Sequence, residues 1–428
     1  MSEKQPAHEP VAAKPQAGRP VEGATLLTLA VLAAVAPFGI DLYLPAFPAM
    51  TDELSTTATG VQLSLTAFLV GAGLGQVVFG PWSDRAGRMR PLLAGLALFL
   101  AAGVATVLAG SIEVLVAARL LQGLGGAAGM VLGRAIILDR ESGRAAARAL
   151  SMMMLIGGVA PVVAPLAGGV LADAIGWRGL LGIVVALGLV ALAATLLFVR
   201  ESLPSAVRAA RPPAEAHGAW KALLSRGYLG HVTAFGFAMA VMMAYISASP
   251  FVYQEIIGLS SGAYGLAFAV NALGMMAATA TSARLTRRVP VRVLTAVGLL
   301  ISLAAVVVLL LLSLLDAPSG WLMAPLFFAI APMGLVFGNA TALALSAVPR
   351  GVTGAASAFL GLLQFTLAGI VAGLVGVAGE DTSLPLALTM LGAVLVAVLG
   401  LVLAGGASGR GTERTEEHIG AQAKSAAT

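Results

Sequence analysis

Stretches of about twenty apolar residues, enough to cross the hydrocarbon core of a bilayer as helices, recur along nearly the whole chain. Only short polar breaks part them. Of 428 residues, 59% are hydrophobic and 11% charged, too few charges for the surface of a soluble protein of this size. Lipid is the implied solvent, and little chain is left for a separate soluble domain.

Twelve spans are predicted, at 24–47, 57–80, 91–110, 113–136, 149–171, 179–199, 229–254, 262–283, 291–315, 321–346, 352–377 and 384–405. The longest internal break, 201–228, holds Pro204, Pro212 and Pro213 with several basic residues and reads as a linker. The expected organisation is all-α: a disordered tail (1–23), a six-helix bundle (24–200), the linker, a second six-helix bundle (229–405) and a tail (406–428). The polar N-terminal stretch, with no short apolar core and small-residue cleavage site, is not expected to be a cleaved signal.

Charge sets the orientation. With the N-terminus in the cytoplasm, every Lys and Arg except Arg119 and Arg178 falls on the cytoplasmic side. Asp52, Glu53, Glu113, Asp173, Glu255, Asp316, Glu380 and Asp381 fall on the other. The positive-inside rule predicts this bias, so both termini are expected to be cytoplasmic. Trp82, Trp177 and Trp321 are expected at the interface, where amphipathic rings settle. Orientation thus accounts for the net charge of +5 without a nucleic-acid partner. There is no cysteine, and His8, His217, His231 and His418 lack ligand spacing, so no metal or cofactor is expected.

Two charges lie deep within spans: Asp41 in the first and Arg119 in the fourth. Intramembrane ionisable residues are costly and usually serve a pathway, a relay or a partner. Each lies about six residues deep, roughly 9 Å at 1.5 Å per residue, which permits an ion pair, structural or functional. Burial and a neighbouring guanidinium act on a carboxyl in opposite senses. A movement that separates the two would change proton affinity between states, the minimum for coupling protonation to a conformational cycle. Arg119, Gln122, Gly123 and Gly126 share one helix face, where small residues admit a neighbouring helix.

Other segments carry particular spacings. The turn Gly80-Pro81-Trp82-Ser83-Asp84-Arg85-Ala86-Gly87-Arg88 combines glycines that permit tight turning with an acid that can accept from the arginines. In the fifth span, Pro161 and Pro165 are expected to break the hydrogen-bond ladder while Gly157 and Gly168 admit close packing and bending, which suits a hinge or an interface between the halves.

On these residues the sequence resembles the major facilitator superfamily. Gly80–Arg90 resembles its loop signature between the second and third helices, the Arg119 segment its fourth-helix signature, and Gly157–Gly169 its fifth-helix antiporter signature. Ala160, where glycine is commoner, departs from the last. Asp41-Leu42-Tyr43-Leu44-Pro45, Gly75-Gln76, Arg134 with Asp139, Ser249-Pro250-Phe251 and Asn339-Ala340 are similar to the Bcr/CflA subfamily of proton-coupled drug exporters. The resemblance implies two six-helix bundles around a central cavity, a bacterial cytoplasmic membrane and a monomer. Asp41 would be the proton and substrate-coupling carboxylate and Arg119 its partner, with Asp84, Arg88 and Asp139 a charge network latching the halves. The matching turn after the eighth helix, Arg284 to Arg288, lacks the acid and the glycine.

Tyr43, Gln62, Phe68, Gln122, Tyr245, Asn271, Asn339 and Gln364 are candidate cavity residues, since aromatic and amide groups in an apolar chamber suit amphipathic, drug-sized molecules. Each is equally able to pack against another helix. The resemblance implies phenicols, bicyclomycin or lipophilic cations as substrates; export of an amino acid or sugar on the same fold stays open. A membrane-embedded enzyme would need clustered catalytic groups within the spans, and Asp41 is the sole deep acid.

Overall fold

The structure is a computed structural model and describes residues 23–203, 222–349, 352–377 and 382–405. Most of both expected tails and residues 204–221 of the expected linker lie outside the described residues. Thirteen α-helices make up the described chain: α1 Gly23–Asp41, α2 Phe47–Glu53, α3 Ala58–Ala86, α4 Met89–Val107, α5 Ile112–Arg140, α6 Gly143–Phe198, α7 Arg226–Phe251, α8 Ser261–Leu285, α9 Val291–Leu314, α10 Met323–Ile330, α11 Met333–Ser346, α12 Thr353–Val377 and α13 Leu384–Gly405.

Ten helical stretches among the described residues are long and apolar enough to cross a membrane. One of these, α6, has 56 residues and would be about 84 Å long if straight, far beyond one bilayer core. It breaks at Gly176, whose φ of 63° and ψ of 179° are non-helical. Counting α6 as two spans and adding the 25-residue apolar α12 gives the expected twelve.

Side-chain caps start several helices. Thr57 accepts from the Gly60 N–H, Ser225 from Tyr228 and Ser260 from Ala263, each satisfying a donor that has no partner within its helix. In lipid, where burial drives association weakly, close backbone approach does the packing. Accordingly Gly71 of α3 meets the Leu120 carbonyl of α5, while Gly123 of α5 meets the Phe68 carbonyl of α3.

Within the first half α3 and α4 pack on α5, and α1 on α6; within the second, α7 packs on α12 and α13, and α9 on α11 and α13. The halves meet along two seams, α3 with α12 and α6 with α8. Hydrogen bonds join them at one end of the bundle: Gln254 Nε2 donates to the Pro45 carbonyl at 3.0 Å and Ser261 Oγ to Asp173 Oδ1 at 2.8 Å.

One expectation is refined and one corrected here. Trp177 stands at a span end as expected but is buried within the protein, its Nε1 donating to Glu53 Oε2 at 2.7 Å while Arg178 stacks on its ring and pairs with Glu53. The indole thus helps seat Arg178 beside that carboxylate. The fifth span runs helically through Pro161 and Pro165 rather than breaking there. A Cβ on Gly157 would meet nothing, so that glycine admits no neighbour. The contact between the halves lies lower down, where Gly265 of α8 sits against the Pro165 carbonyl and Gly169 against the Ser261 carbonyl, while Gly168 packs within the first half on the Leu42 carbonyl.

Candidate functional site

A cavity of about 310 Å³ lies between the halves. The first half contributes Ala36, Pro37, Ile40, Asp41, Phe68 and Pro161 among others, and the second Tyr245, Phe268, Asn271, Phe337, Gln364 and Phe365. Five methionines, Met130, Met239, Met242, Met243 and Met275, also line it. Met239, Met242 and Met243 stand at i, i+3 and i+4 on α7, one face of a helix.

Asp41 is the last residue of α1. Pro45 follows within a short 3₁₀ turn, Leu44–Ala46, and proline cannot supply the N–H that would continue the ladder. The break puts the carboxyl in the cavity wall. Its Oδ1 is buried and accepts no hydrogen bond.

Arg119 is fully buried, yet it makes no ion pair with Asp41. Its Nη1 donates to Gln122 Oε1 at 2.8 Å and its Nη2 to the Gly39 carbonyl at 2.6 Å. The guanidinium lies 4.5 Å from the Tyr43 ring centroid and 4.2 Å from that of Phe68, within cation–π range. The expected pairing of the two charges is therefore corrected: aromatic faces and a backbone carbonyl hold the cation, and the carboxyl stays free for the cavity.

Across the cavity, Asn271 Nδ2 donates to the Tyr245 hydroxyl at 2.6 Å and the Tyr253 hydroxyl at 3.2 Å. Tyr264 and Ser249 share a hydrogen bond of 3.2 Å. These bonds fix the aromatic wall and leave Gln364 as a further amide at the cavity.

At the bundle end away from Asp173, Gly87 caps α3 with φ of 87°, a conformation that favours glycine. The chain then turns Arg88 inward. Its Nε and Nη2 grip Asp139 at 2.8 and 3.2 Å, and its Nη1 reaches Ser83 at 2.7 Å and Asp84 at 2.9 Å. Glu201 completes the knot, accepting from the backbone N–H groups of Arg88, Met89 and Leu203 at 2.8, 3.1 and 2.9 Å. Burial pushes the Glu201 carboxyl up, but these backbone donors outweigh it and hold the group below the usual carboxylate range. Burial likewise opposes the Arg88 charge, and its two carboxylate partners more than offset that, so its pKa is raised.

The sequence profile of the Major Facilitator Superfamily matches residues 29–373. The chain belongs to this superfamily.

Other members are similar over most of their length. An uncharacterized MFS-type transporter, YdgK of Bacillus subtilis, is 34% identical over 87% of this chain and 92% of its own. A bicyclomycin resistance protein homolog of Haemophilus influenzae is 29% identical over 87% and 94%. The multidrug resistance protein MdtL of Escherichia coli is 30% identical over 55% and 60%. Among solved structures, a bacterial homolog of the human lysosomal transporter Spinster, inward-facing and unoccupied, aligns with a TM-score of 0.70 at 19% identity, covering 90% of this chain and 97% of that one. A peptide transporter in complex with alafosfalin aligns with 0.73 at 14%, covering 91% and 96%. The protein is thus a membrane transporter of this superfamily and not an enzyme.

Of the expected cavity residues in this superfamily member, Phe68, Tyr245, Asn271 and Gln364 line the chamber with Asp41. Four lie elsewhere. Tyr43 bonds Ser64 at 3.0 Å, Gln122 holds Arg119, Asn339 ties α11 to Ser282 of α8 at 2.8 Å, and Gln62 faces a smaller cavity. The Arg88 network joins Asp84 and Asp139 as expected, with Gly87 forming the turn. Gly80 has no neighbour within Cβ reach and Arg85 is exposed. Among the described residues, the bonds given for this network join the ends of α3, α4 and α5 to Glu201, just beyond α6. Glu201, Ser202, whose hydroxyl donates to Asp139 Oδ2 at 2.9 Å, and the cavity methionines were not anticipated. The spacing of Met239, Met242 and Met243 was the available signal.

Proposed function

We propose that this transporter exports small amphipathic antibiotics of the phenicol or bicyclomycin type in exchange for protons, by alternating access. The observation that carries the reading is the unpaired Asp41 carboxyl in the wall of a drug-sized cavity shared by both halves. A carboxyl with no built-in counter-ion is available to a proton in one state and to substrate contact in another. Differential affinity of this kind is what couples a ligand to a conformational change. The apolar, methionine-rich wall with a few amides suits neutral drug-sized molecules. The names of the Haemophilus influenzae and Escherichia coli relatives, bicyclomycin and multidrug resistance proteins, point the same way.

The Arg88 end is the cytoplasmic one on the positive-inside reading, with both termini there, in a bacterial cytoplasmic membrane. Hydrogen bonds across the halves at the Asp173 end then support a state closed to the outside. The Arg88 network keeps α3, α5 and the end of α6 rigid so that the half moves as a body, and the Pro165–Gly169 stretch is the surface on which it pivots. The protein works as a monomer.

Drug-dependent proton movement in proteoliposomes tests this, comparing the native protein with Asp41→Asn across a phenicol and a cationic dye. Proton movement with the phenicol in the native protein alone is the expected result. Equal, gradient-independent transport by both would refute coupling through Asp41.

A further inference from the structure

Gln62 lies away from the main chamber, on a second cavity of about 20 Å³ at the Asp173 end, room for roughly one water. Its other walls are the end of α7 (Phe251, Val252), Val375 near the end of α12, and Pro385 and Leu386 of α13. The cavity therefore sits on the seam between the halves. Gln62 is 4% exposed, and its Oε1 is buried with no donor. Buried carbonyl oxygens without a partner are rare in proteins.

One turn further along α3, Thr66 Oγ1 is also buried without a partner. Helical threonines commonly bond back to the carbonyl four residues earlier, as Thr195 and Thr341 do here. Thr66 forgoes that bond and faces Gly369 and Gly373 of α12, its Oγ1 3.6 Å from where a Gly373 Cβ would stand. Leu69 on α3 and Phe365 and Ala368 on α12 come next, and all three line the main cavity with Asp41. From Gln62 to Leu69 is about 10 Å along the helix. Both helices of the seam thus lead from the small cavity, past a second orphaned oxygen, to the chamber holding the third, Asp41 Oδ1.

We propose that Gln62 and Thr66 hold water on the α3–α12 seam and form the proton's access path to Asp41 from the end of the bundle that is closed to substrate. The proposal rests on the reading of Asp41 as the proton acceptor. A proton enters as hydronium at the Gln62 cavity, passes along the waters bound by Gln62 Oε1 and Thr66 Oγ1, and comes to rest on Asp41 Oδ1. It leaves to the opposite bulk phase when the chamber opens there. Substrate, too large for the seam, cannot follow. The arrangement gives protons and drug separate routes to one chamber.

The test uses the full-length protein in proteoliposomes with three readouts: phenicol binding, phenicol–phenicol exchange without a gradient, and phenicol efflux driven by a proton gradient. The Gln62→Leu/Thr66→Val variant is expected to slow gradient-driven efflux by about tenfold or more. Binding and exchange should stay near native, and Thr66→Ser alone should restore part of the rate beside Gln62→Leu. Unchanged efflux would overturn the path, and so would exchange that falls in step with efflux, which marks a packing defect. Asp41→Asn runs alongside: if it too keeps native efflux, the coupling reading itself is what fails.

Discussion

Arg119 anchors on the Gly39 carbonyl at 2.6 Å, two residues before Asp41 on the same helix. The cation therefore fixes the backbone that presents the carboxyl while leaving its Oδ1 unbonded. A guanidinium does this well because its planar fork serves Gly39 and Gln122 at once, with faces for Tyr43 and Phe68. Arg119→Lys keeps the charge and loses the fork. It is expected to destabilise the protein by about 1–3 kcal/mol, read as a lower melting temperature in detergent. A lysine variant as stable as the native protein would rule out the anchor.

The Arg88 network ranks its own members. In the Arg88–Asp139 pair the side chains are 6% and 12% exposed, whereas Asp84 is 51% exposed. Removing one partner of a buried pair costs about 3–5 kcal/mol, because the other charge is left uncompensated. An exposed pair contributes about 0–1 kcal/mol. Asp139→Asn should therefore lower the melting temperature far more than Asp84→Asn. The reverse order would mean that the Asp139 contact is not what holds Arg88.

Glycines of the spans separate into those with room and those without. A Cβ on Gly71 or Gly123 would fall inside a backbone carbonyl of the facing helix, whereas one on Gly157 would meet nothing. Backbone cannot swing aside as a side chain can, so the cost should exceed the about 1–3 kcal/mol of ordinary overpacking. Gly71→Ala and Gly123→Ala are expected to lose most of the monodisperse peak in size-exclusion chromatography, while Gly157→Ala elutes like the native protein.

Glu201 makes the network sensitive to acid. Its folded pKa lies below the ordinary 4.5, so the stability it contributes is fully present above that value. The contribution is lost as pH falls through the folded pKa. Melting temperature measured down through pH 4.5 should therefore decline more steeply for the native protein than for Glu201→Gln. Parallel curves would show that Glu201 is not the group responsible.

The twelve spans were legible because length and apolarity alone decide what crosses lipid, and the Gly80–Arg88 turn because glycine and charge at fixed spacing report backbone shape. Depth along a helix was legible too, as Asp41 and Arg119 do lie together. Rotation about the helix axis was not. Asp41 falls where Pro45 ends the ladder, so its direction is set by a break rather than by helical periodicity. Gln62 and Asn339 had the chemistry of cavity residues, but each points along a seam between helices. The break at Gly176 falls in the gap expected between the fifth and sixth spans, whereas the interruption expected at Pro161 and Pro165 is not there. A single glycine at positive φ is enough to turn the chain, whereas prolines in a packed span can be carried by their neighbours.

The five methionines of the chamber bear on how such a transporter could be blocked. Unbranched thioether chains re-pack around whatever enters, so the wall keeps no fixed outline for an inhibitor to match. A compound designed for snug fit would meet a different contour from the one it was designed against. The groups that hold still are the amide of Asn271, clamped between two tyrosine hydroxyls, and the Asp41 carboxyl at the broken helix end. A blocker that spans those two points would owe its grip to the rigid part of the chamber, and one of the two is the carboxyl on which the proposed coupling rests.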